Sequence, residues 1–342
     1  QRPVCAQALT EWQLIRAPMP GYSFFQHVCE VDPGTSLNSD GLTVRFWEWL
    51  PSEQPFDQAR FEETLRASVR SHEVGDVCNV SLVSGGLDSS VLTVLSSVER
   101  GYSVGIPGNN EFEGAREAAD ISKCELATVT LSGDELEQSW CRLARLRGEP
   151  LGVPNEGLIH AVCKIMGPTE KVVLTGEGAD ELLCGYDNIF RWMSQLDTFS
   201  PRQFLMRYGY SAREPTERLL DHVSDLARNL RPIQFCEDFF LQIHLPILLR
   251  RMDFGSMSAS REARVPFVCR SMMRELYRQP IENKLVAEQS KIPLRRFARR
   301  LGLHGTLGRP KIGFSARIDS YADRHSEYAK FHALNMEALG WS

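Results

Sequence analysis

Between residues 58 and 175 the chain switches repeatedly between two hydrophobic periods. Apolar and charged residues recur at helical spacing from Gln58 to Ser71, which predicts a helix. A β-rich run from Val77 to Val83 then predicts a strand, followed by a tight loop from Ser84 to Ser90 and a helical run from Val91 to Val98. Further strands are predicted over Ser103 to Ile106, Ala127 to Leu131 and Lys171 to Thr175, with helices over Glu111 to Ser122 and Glu156 to Ile165. Strands that alternate with helices bury both faces of a parallel sheet, so the fold class is α/β with a doubly wound parallel sheet.

From Asp187 onward the period is helical, with punctuation at Pro201, Pro215, Pro232, Pro246 and Pro280. This predicts a largely helical C-terminal layer, with a substrate between it and the sheet. Residues 1 to 55 read as irregular, with turns at Pro20-Gly21, Pro33-Gly34 and Asp40-Gly41 and short β-like pieces such as Thr43 to Trp47. The expected organisation is an N-terminal lobe over 1–55, a main domain over 56–330 and a tail over 331–342.

The 342 residues are 42% hydrophobic and 24% charged, ordinary globular usage that excludes a disordered or fibrous chain. A net charge of -5 and a pI near 6.0 lack the basic footprint of a nucleic-acid binder. An anionic ligand must therefore be met by local groups. The nine cysteines show neither a CxxC pair nor Cys/His spacing that suits zinc, and read as reduced thiols of a cytoplasmic protein. No apolar run reaches membrane-spanning length and no signal pattern opens the chain, so no membrane partner is expected. The chain begins at Gln1 rather than Met, which leaves a longer parent protein open.

The strongest local signal is Ser84-Gly85-Gly86-Leu87-Asp88-Ser89-Ser90, between a strand and a helix. Two glycines let backbone amides approach an anion, three serines offer hydroxyls, and the next helix points its positive end at the same place. Asp88 is out of place in such a nest unless a cation shares it, which predicts Mg²⁺ bridging to phosphate. The loop has no Lys of the Walker pattern. A second loop, Gly176-Glu177-Gly178-Ala179-Asp180-Glu181-Leu182-Leu183-Cys184-Gly185-Tyr186, follows the Lys171 to Thr175 strand, where doubly wound sheets bind ligands. Its crowded carboxylates repel one another unless something cationic joins them.

The first loop resembles the PP-loop of the N-type ATP pyrophosphatases, which cleave ATP between the α and β phosphates and carry an adenine nucleotide alpha hydrolase-like sheet. Four blocks together resemble the asparagine synthetase family. They are Ser84 to Ser90; Gly176 to Tyr186; Asp253-Phe254-Gly255-Ser256-Met257 with Glu262 to Phe267; and Ser290 to Arg295 with Arg309 to Phe314. The resemblance implies a ligase that uses ATP and Mg²⁺ to adenylate a carboxylate, releases pyrophosphate, and passes the acyl group to ammonia or an amine.

By that resemblance Ser84, Gly85, Gly86, Asp88, Ser89, Ser90, Gly176 and Glu177 bind ATP, with Leu82, Gly105 and Ile106 at the adenine. Asp88 and Asp180 hold Mg²⁺. Glu177 acts as base or orienting group for the attacking nitrogen, and Lys291 meets the α-phosphate and acyl oxygens. Arg264 and Lys311 are candidates for anion contacts, and equally for surface charges. The implied partners are a small-molecule or peptide carboxylate and a nitrogen donor, with a glutaminase domain or partner subunit as one source of nitrogen. A homo-oligomer is compatible with all of this.

The chain departs from the family where Val268-Cys269 replaces the usual Leu-Asp, which bears on aspartate as the substrate, and where Cys184 replaces a frequent Gly. Only Val28 to Gly34 through Phe46 to Trp49 resembles the end of the family's glutaminase domain and its linker, so this polypeptide is not expected to hydrolyse glutamine. The alternatives are an intramolecular amide-forming relative, as in lasso-peptide macrolactam cyclases and β-lactam synthetases, and a non-catalytic ATP-binding scaffold. β-Lactam synthetases place Tyr where this chain has Glu177, and intact acidic loops with Lys291 disfavour a scaffold.

Overall fold

A computed structural model describes residues 2–48, 50–287, 289–309 and 324–341. Lys311 and most of the Arg309 to Phe314 block lie outside the described residues.

Helix α1, Ala6–Ile15, is the first departure from the irregular reading of residues 1–55. It buries Ala8, Trp12 and Ile15 on one face, and the indole N–H of Trp12 donates to Leu151 O at 2.7 Å. The i, i+4, i+7 spacing of those three residues was in the sequence, masked by the turns that follow. A small antiparallel hairpin comes next, β1 (Thr35–Leu37) and β2 (Thr43–Arg45). Helix α2, Gln58–His72, starts where the Asp57 carboxylate accepts the Arg60 N–H at 2.7 Å, and it buries Phe61, Leu65 and Val69 along one stripe.

The central sheet consists of β3 (Cys78–Leu82), β4 (Arg100–Gly105), β5 (Glu125–Thr130), β6 (Glu170–Leu174) and β7 (Glu262–Arg264). Every pair is parallel and the spatial order is β5-β4-β3-β6-β7. The α/β class and parallel sheet agree with the alternating periods of the sequence. Strand β7 was not foreseen, because Glu-Ala-Arg has no apolar period and becomes a strand through its pairing with Val172 to Leu174.

Side chains alternate across the sheet. Val80, Leu82, Val104 and Val173 enter a core with α1, α5 (Gly133–Arg147), α6 (Glu156–Ile165) and α16 (Arg324–Leu339). Val83, Val172 and Leu174 enter the opposite core, with α2, α3 (Leu87–Leu95), α4 (Phe112–Ser122), α13 (Arg270–Leu276) and α14 (Ile292–Arg300). Ser81, the fully buried polar residue of β3, is satisfied by Thr93 Oγ1 at 2.7 Å. Helix α5 also escaped the period reading, although Ser132 and Glu135 form a capping box that is visible in the sequence. Helix α16 runs through position 331 and sets Phe331 edge-on to Trp140, with ring centroids 5.1 Å apart.

The helical layer contains α7 (Ala179–Leu182), α8 (Asp187–Ser194), α9 (Pro201–Tyr208), α10 (Glu217–Leu226), α11 (Pro232–Phe239), α12 (Leu245–Met257) and, after α14, α15 (His304–Gly308). Phe190, Phe204, Phe235, Phe239 and Phe240 form its core together with Leu14 and Ile15 of α1. A π-helical turn, Phe240–His244, joins α11 to α12. No described helix is long and apolar enough to cross a membrane.

Candidate active site

Strand β3 continues to β4 on one side, whereas its other neighbour β6 continues to β7, so the connections that leave β3 and β6 run in opposite directions. The carboxyl ends of β3 and β6 therefore border a crevice, as the strand order of doubly wound sheets requires. Both motif loops emerge there. They line a cleft of about 650 Å³ together with Lys291 at the start of α14 and Arg251 from α12.

The loop after β3 is shorter than expected, because α3 already begins at Leu87. Asp88, Ser89 and Ser90 thus sit in its first turn. Ser89 Oγ accepts the Ser84 N–H at 3.1 Å and lies 2.9 Å from Ser84 Oγ, which closes the turn. Gly85 has φ +89°, and a Cβ there would run into the Glu111 carbonyl, so only glycine fits. A Cβ on Gly176 would stand 3.0 Å from Ser89 N, so the two loops touch backbone to backbone.

Lys291 connects them chemically. Its Nζ donates to Asp88 Oδ2 at 2.5 Å and pairs with Asp180 Oδ1 at 2.6 Å, and the residue is 4% exposed. Burial works to lower the lysine pKa, but the charges of Asp180 and Asp88 outweigh it and the net shift is upward. Lys291 occupies a left-handed conformation, φ 56°, held by its N–H to Leu183 O at 3.1 Å. An unusual backbone at a cation that joins the two loops is the kind of strain that functional sites carry. Gly185 makes room for it, since a Cβ there would coincide with Asp180 Oδ1 and crowd Lys291 Cε.

Glu177 is held by Arg251, whose Nη2 donates to Oε1 while its Nη1 donates to Asn155 Oδ1 at 3.2 Å. Burial raises the Glu177 pKa, Arg251 opposes this, and Asp180 and Asp88 add to the rise. Glu181 is pushed up to about 8 by burial and by Asp180, and it accepts the Tyr186 hydroxyl at 2.6 Å. Lys291 and Arg251 thus meet three of the carboxylates gathered in the cleft, Asp88, Asp180 and Glu177.

The asparagine synthase family model matches residues 60–334. The chain belongs to the asparagine synthase family. It is 26% identical over 333 residues to asparagine synthetase [glutamine-hydrolyzing] 3 of Bacillus subtilis, covering 81% of this chain and 52% of that protein. A putative asparagine synthetase [glutamine-hydrolyzing] of Mycobacterium bovis is 26% identical over 321 residues, covering 77% of this chain and 49% of that protein. The chain therefore spans about half the length of these relatives. Among solved structures, NMN synthetase from Francisella tularensis aligns with 62% of this chain and 99% of its own at 14% identity and a TM-score of 0.29.

Of the residues singled out in the sequence, Leu82, Ser84, Gly85, Gly86, Asp88, Ser89, Gly176, Glu177, Asp180 and Lys291 all line the cleft. Ser90, Gly105 and Ile106 do not. Ser90 is fully buried beneath the turn, with its N–H on Gly86 O at 3.0 Å. Ile106 exchanges its backbone N–H and C=O with Asn109, and the Gly105 carbonyl accepts the Leu131 N–H at 3.0 Å, so both backbone edges are already engaged. Arg264 points away from the cleft, donating to His72 O at 2.8 Å and Val74 O at 2.9 Å and pairing with Glu262. It is a structural tie and not an anion contact of the cleft.

The two departures from the family pattern have local explanations. Cys184 has φ 59°, a left-handed conformation that glycine adopts without strain, and its buried thiol is pushed up chiefly by desolvation. Val268 packs where a Cβ on Gly178 would fall, and Cys269 Sγ accepts the Ser68 hydroxyl at 3.2 Å outside the cleft.

Arg251, Asn155, His244 and Arg16 went unnoticed in the sequence, and all four line the cleft. The pair Arg250-Arg251 shows why. Neighbours on a helix point about 100° apart, so Arg250 reaches Glu30 near the surface while Arg251 is buried. Which of the two turns inward depends on what packs against α12.

Proposed function

We propose that this chain is an ATP-dependent amide-forming synthetase that activates a carboxylate as its AMP ester and transfers the acyl group to ammonia or an amine. The observation that carries the reading is the Lys291 ammonium held between Asp88 and Asp180 at the point where both loops meet. A buried cation set between a phosphate-type loop and a second acidic loop suits charge that develops on an α-phosphate.

The Ser84 to Ser89 turn and the start of α3 would hold the triphosphate through backbone N–H groups and hydroxyls, with Leu82 near the base. Mg²⁺ commonly takes one or two carboxylates and completes its shell with phosphate oxygens and water. Asp88 and Asp180 are the carboxylates that would hold it, and it would neutralise the departing pyrophosphate. The substrate carboxylate oxygen attacks the α-phosphorus, the bond to pyrophosphate breaks, and Lys291 meets the charge on the equatorial oxygens. The nitrogen then adds to the acyl carbon, AMP leaves, and the proton lost by nitrogen goes to Glu177, oriented by Arg251.

The test is purified protein with ATP, Mg²⁺ and panels of carboxylates and amines, scored for products. AMP and pyrophosphate in proportion to amide are expected. ADP as the main product refutes the proposal.

A further inference from the structure

Glu177 has Arg251 behind it, and Arg251 has a second acid behind it in turn. Glu156 opens α6, is 1% exposed and does not line the cleft. Its Oε1 accepts from Arg147 Nη1 at 3.4 Å, while its buried Oε2 has no hydrogen-bond partner. Arg147 ends α5, with its Nε donating to Glu149 Oε1 at 2.9 Å and its guanidinium carbon 4.0 Å over the Phe254 ring. Arg251 also carries a buried orphan, its Nε. The neighbouring Asn155 is of a type that usually caps helices, yet its side chain makes no cap bond here and accepts from Arg251 Nη1 instead.

Acids and arginines thus alternate toward the cleft in the order Glu149, Arg147, Glu156, Arg251, Glu177. Arg147 already has Glu149 as a counter-ion, and burying a further carboxylate is costly, so the fold does not demand a charge at position 156. Burial pushes the Glu156 carboxyl up to about 7, Arg147 and Arg251 oppose the rise, and Glu149 adds to it. At pH 8 the group is therefore mostly ionised. A guanidinium that faced Glu177 alone would stabilise its carboxylate form and make it a weaker base. Standing between two acids, Arg251 divides that attraction.

We infer that Glu156 is a positioning residue for amide formation, acting through Arg251 and offsetting part of its charge so that Glu177 can take the proton lost by the attacking nitrogen. The inference rests on the amide-synthetase reading and adds a residue that touches no substrate. The unpartnered Oε2 of Glu156 and Nε of Arg251 fit this role, because a tie made only for stability would close them on each other.

The test uses ATP, Mg²⁺, ammonium chloride and the carboxylate of highest exchange rate in the wild type, at pH 8. Pyrophosphate exchange reads activation, and single-turnover amide formation reads acyl transfer. Glu156→Gln keeps the shape and loses the charge. It should slow amide formation by about 10-fold, within the range of couplings inside one charge network, and exchange by far less. Added to Glu177→Gln it should cost nothing further, since the group it acts on is gone. Glu156→Asp should recover much of the amide rate, and Glu156→Asn, equal to it in size but uncharged, should not. Equal losses in both assays, or a full further loss in the Glu177→Gln background, would make Glu156 a structural residue and overturn the inference. Failure of Glu156→Gln to fold overturns it as well, because charge at 156 is argued to be dispensable for the fold. Amide formation at the wild-type rate in Glu156→Gln overturns it alone. Absence of exchange and amide in the wild type with every carboxylate overturns the synthetase reading and this inference with it.

Discussion

Replacing Lys291 by methionine removes the ammonium and keeps most of the side-chain volume, so the electrostatic consequence can be worked from the geometry. Asp88 and Asp180 approach one nitrogen at 2.5 and 2.6 Å and retain only 18% and 21% of their side-chain exposure. Without it, two carboxylate oxygens stand at most about 5 Å apart, a repulsion of about 3 kcal/mol or more at an effective dielectric near 20. Loss of one partner from a buried ion pair leads to a similar figure, about 3–5 kcal/mol. In Lys291→Met one carboxyl, also near Glu177 and Glu181, would have a folded-state pKa raised above its unfolded value. The resulting instability is complete above that raised pKa and is relieved as pH falls through it. In the wild type the Lys291 pKa is itself raised, so its stabilising contribution is fully present below the unfolded lysine value of about 10.4 and is lost only at still higher pH. Urea unfolding at pH 8 and pH 5, with and without Mg²⁺, reads this out. The variant's deficit should shrink at pH 5, and Mg²⁺ should shrink it at pH 8. Pyrophosphate exchange should fall by about 10² to 10³. A deficit that is equal at both pH values and indifferent to Mg²⁺, or exchange at near wild-type rate, refutes the reasoning.

Glu177→Gln should reduce amide formation by roughly 10² or more while pyrophosphate exchange suffers less, because the nitrogen arrives only after activation. Equal loss of both activities would move Glu177 into the first step. Since burial raises the Glu177 pKa, wild-type amide formation should fall as pH drops through that raised value, and single-turnover pH profiles of the two proteins should differ on that limb. Gly185→Ala should destabilise the protein by about 1–3 kcal/mol, as overpacking does, and depress exchange, because its Cβ displaces the Asp180–Lys291 pair. A melt and an exchange rate near wild type would show that the pair tolerates the shift.

Much of the sheet was legible because the internal strands β3 and β6 end in buried, mostly apolar runs, Val80 to Val83 and Val172 to Leu174, and the helix periods between them follow from burial on one side. Helix α1 and strand β7 were not legible for opposite reasons. The helical stripe of α1 was present but surrounded by turn signals, whereas β7 has no intrinsic signal and exists because β6 offers an unpaired edge. The same contrast holds in the cleft. Ser84 to Ser89, Gly176, Glu177 and Asp180 could be picked out because glycines and acids at a strand end have few other uses.

The sequence by itself determined the α/β alternation, both motif loops and the family, since these are local patterns whose physics acts over a few residues. The tertiary structure decided how Lys291, already singled out by the resemblance, is paired, and which further cations complete the cleft. Lys291 is separated from Asp88 by 203 residues, and Arg16 from His244 by 228. Arg251 differs from Arg250 only by one step around a helix. Charge balance in a buried cleft is a property of distances, and distances between remote residues exist only once the chain has folded.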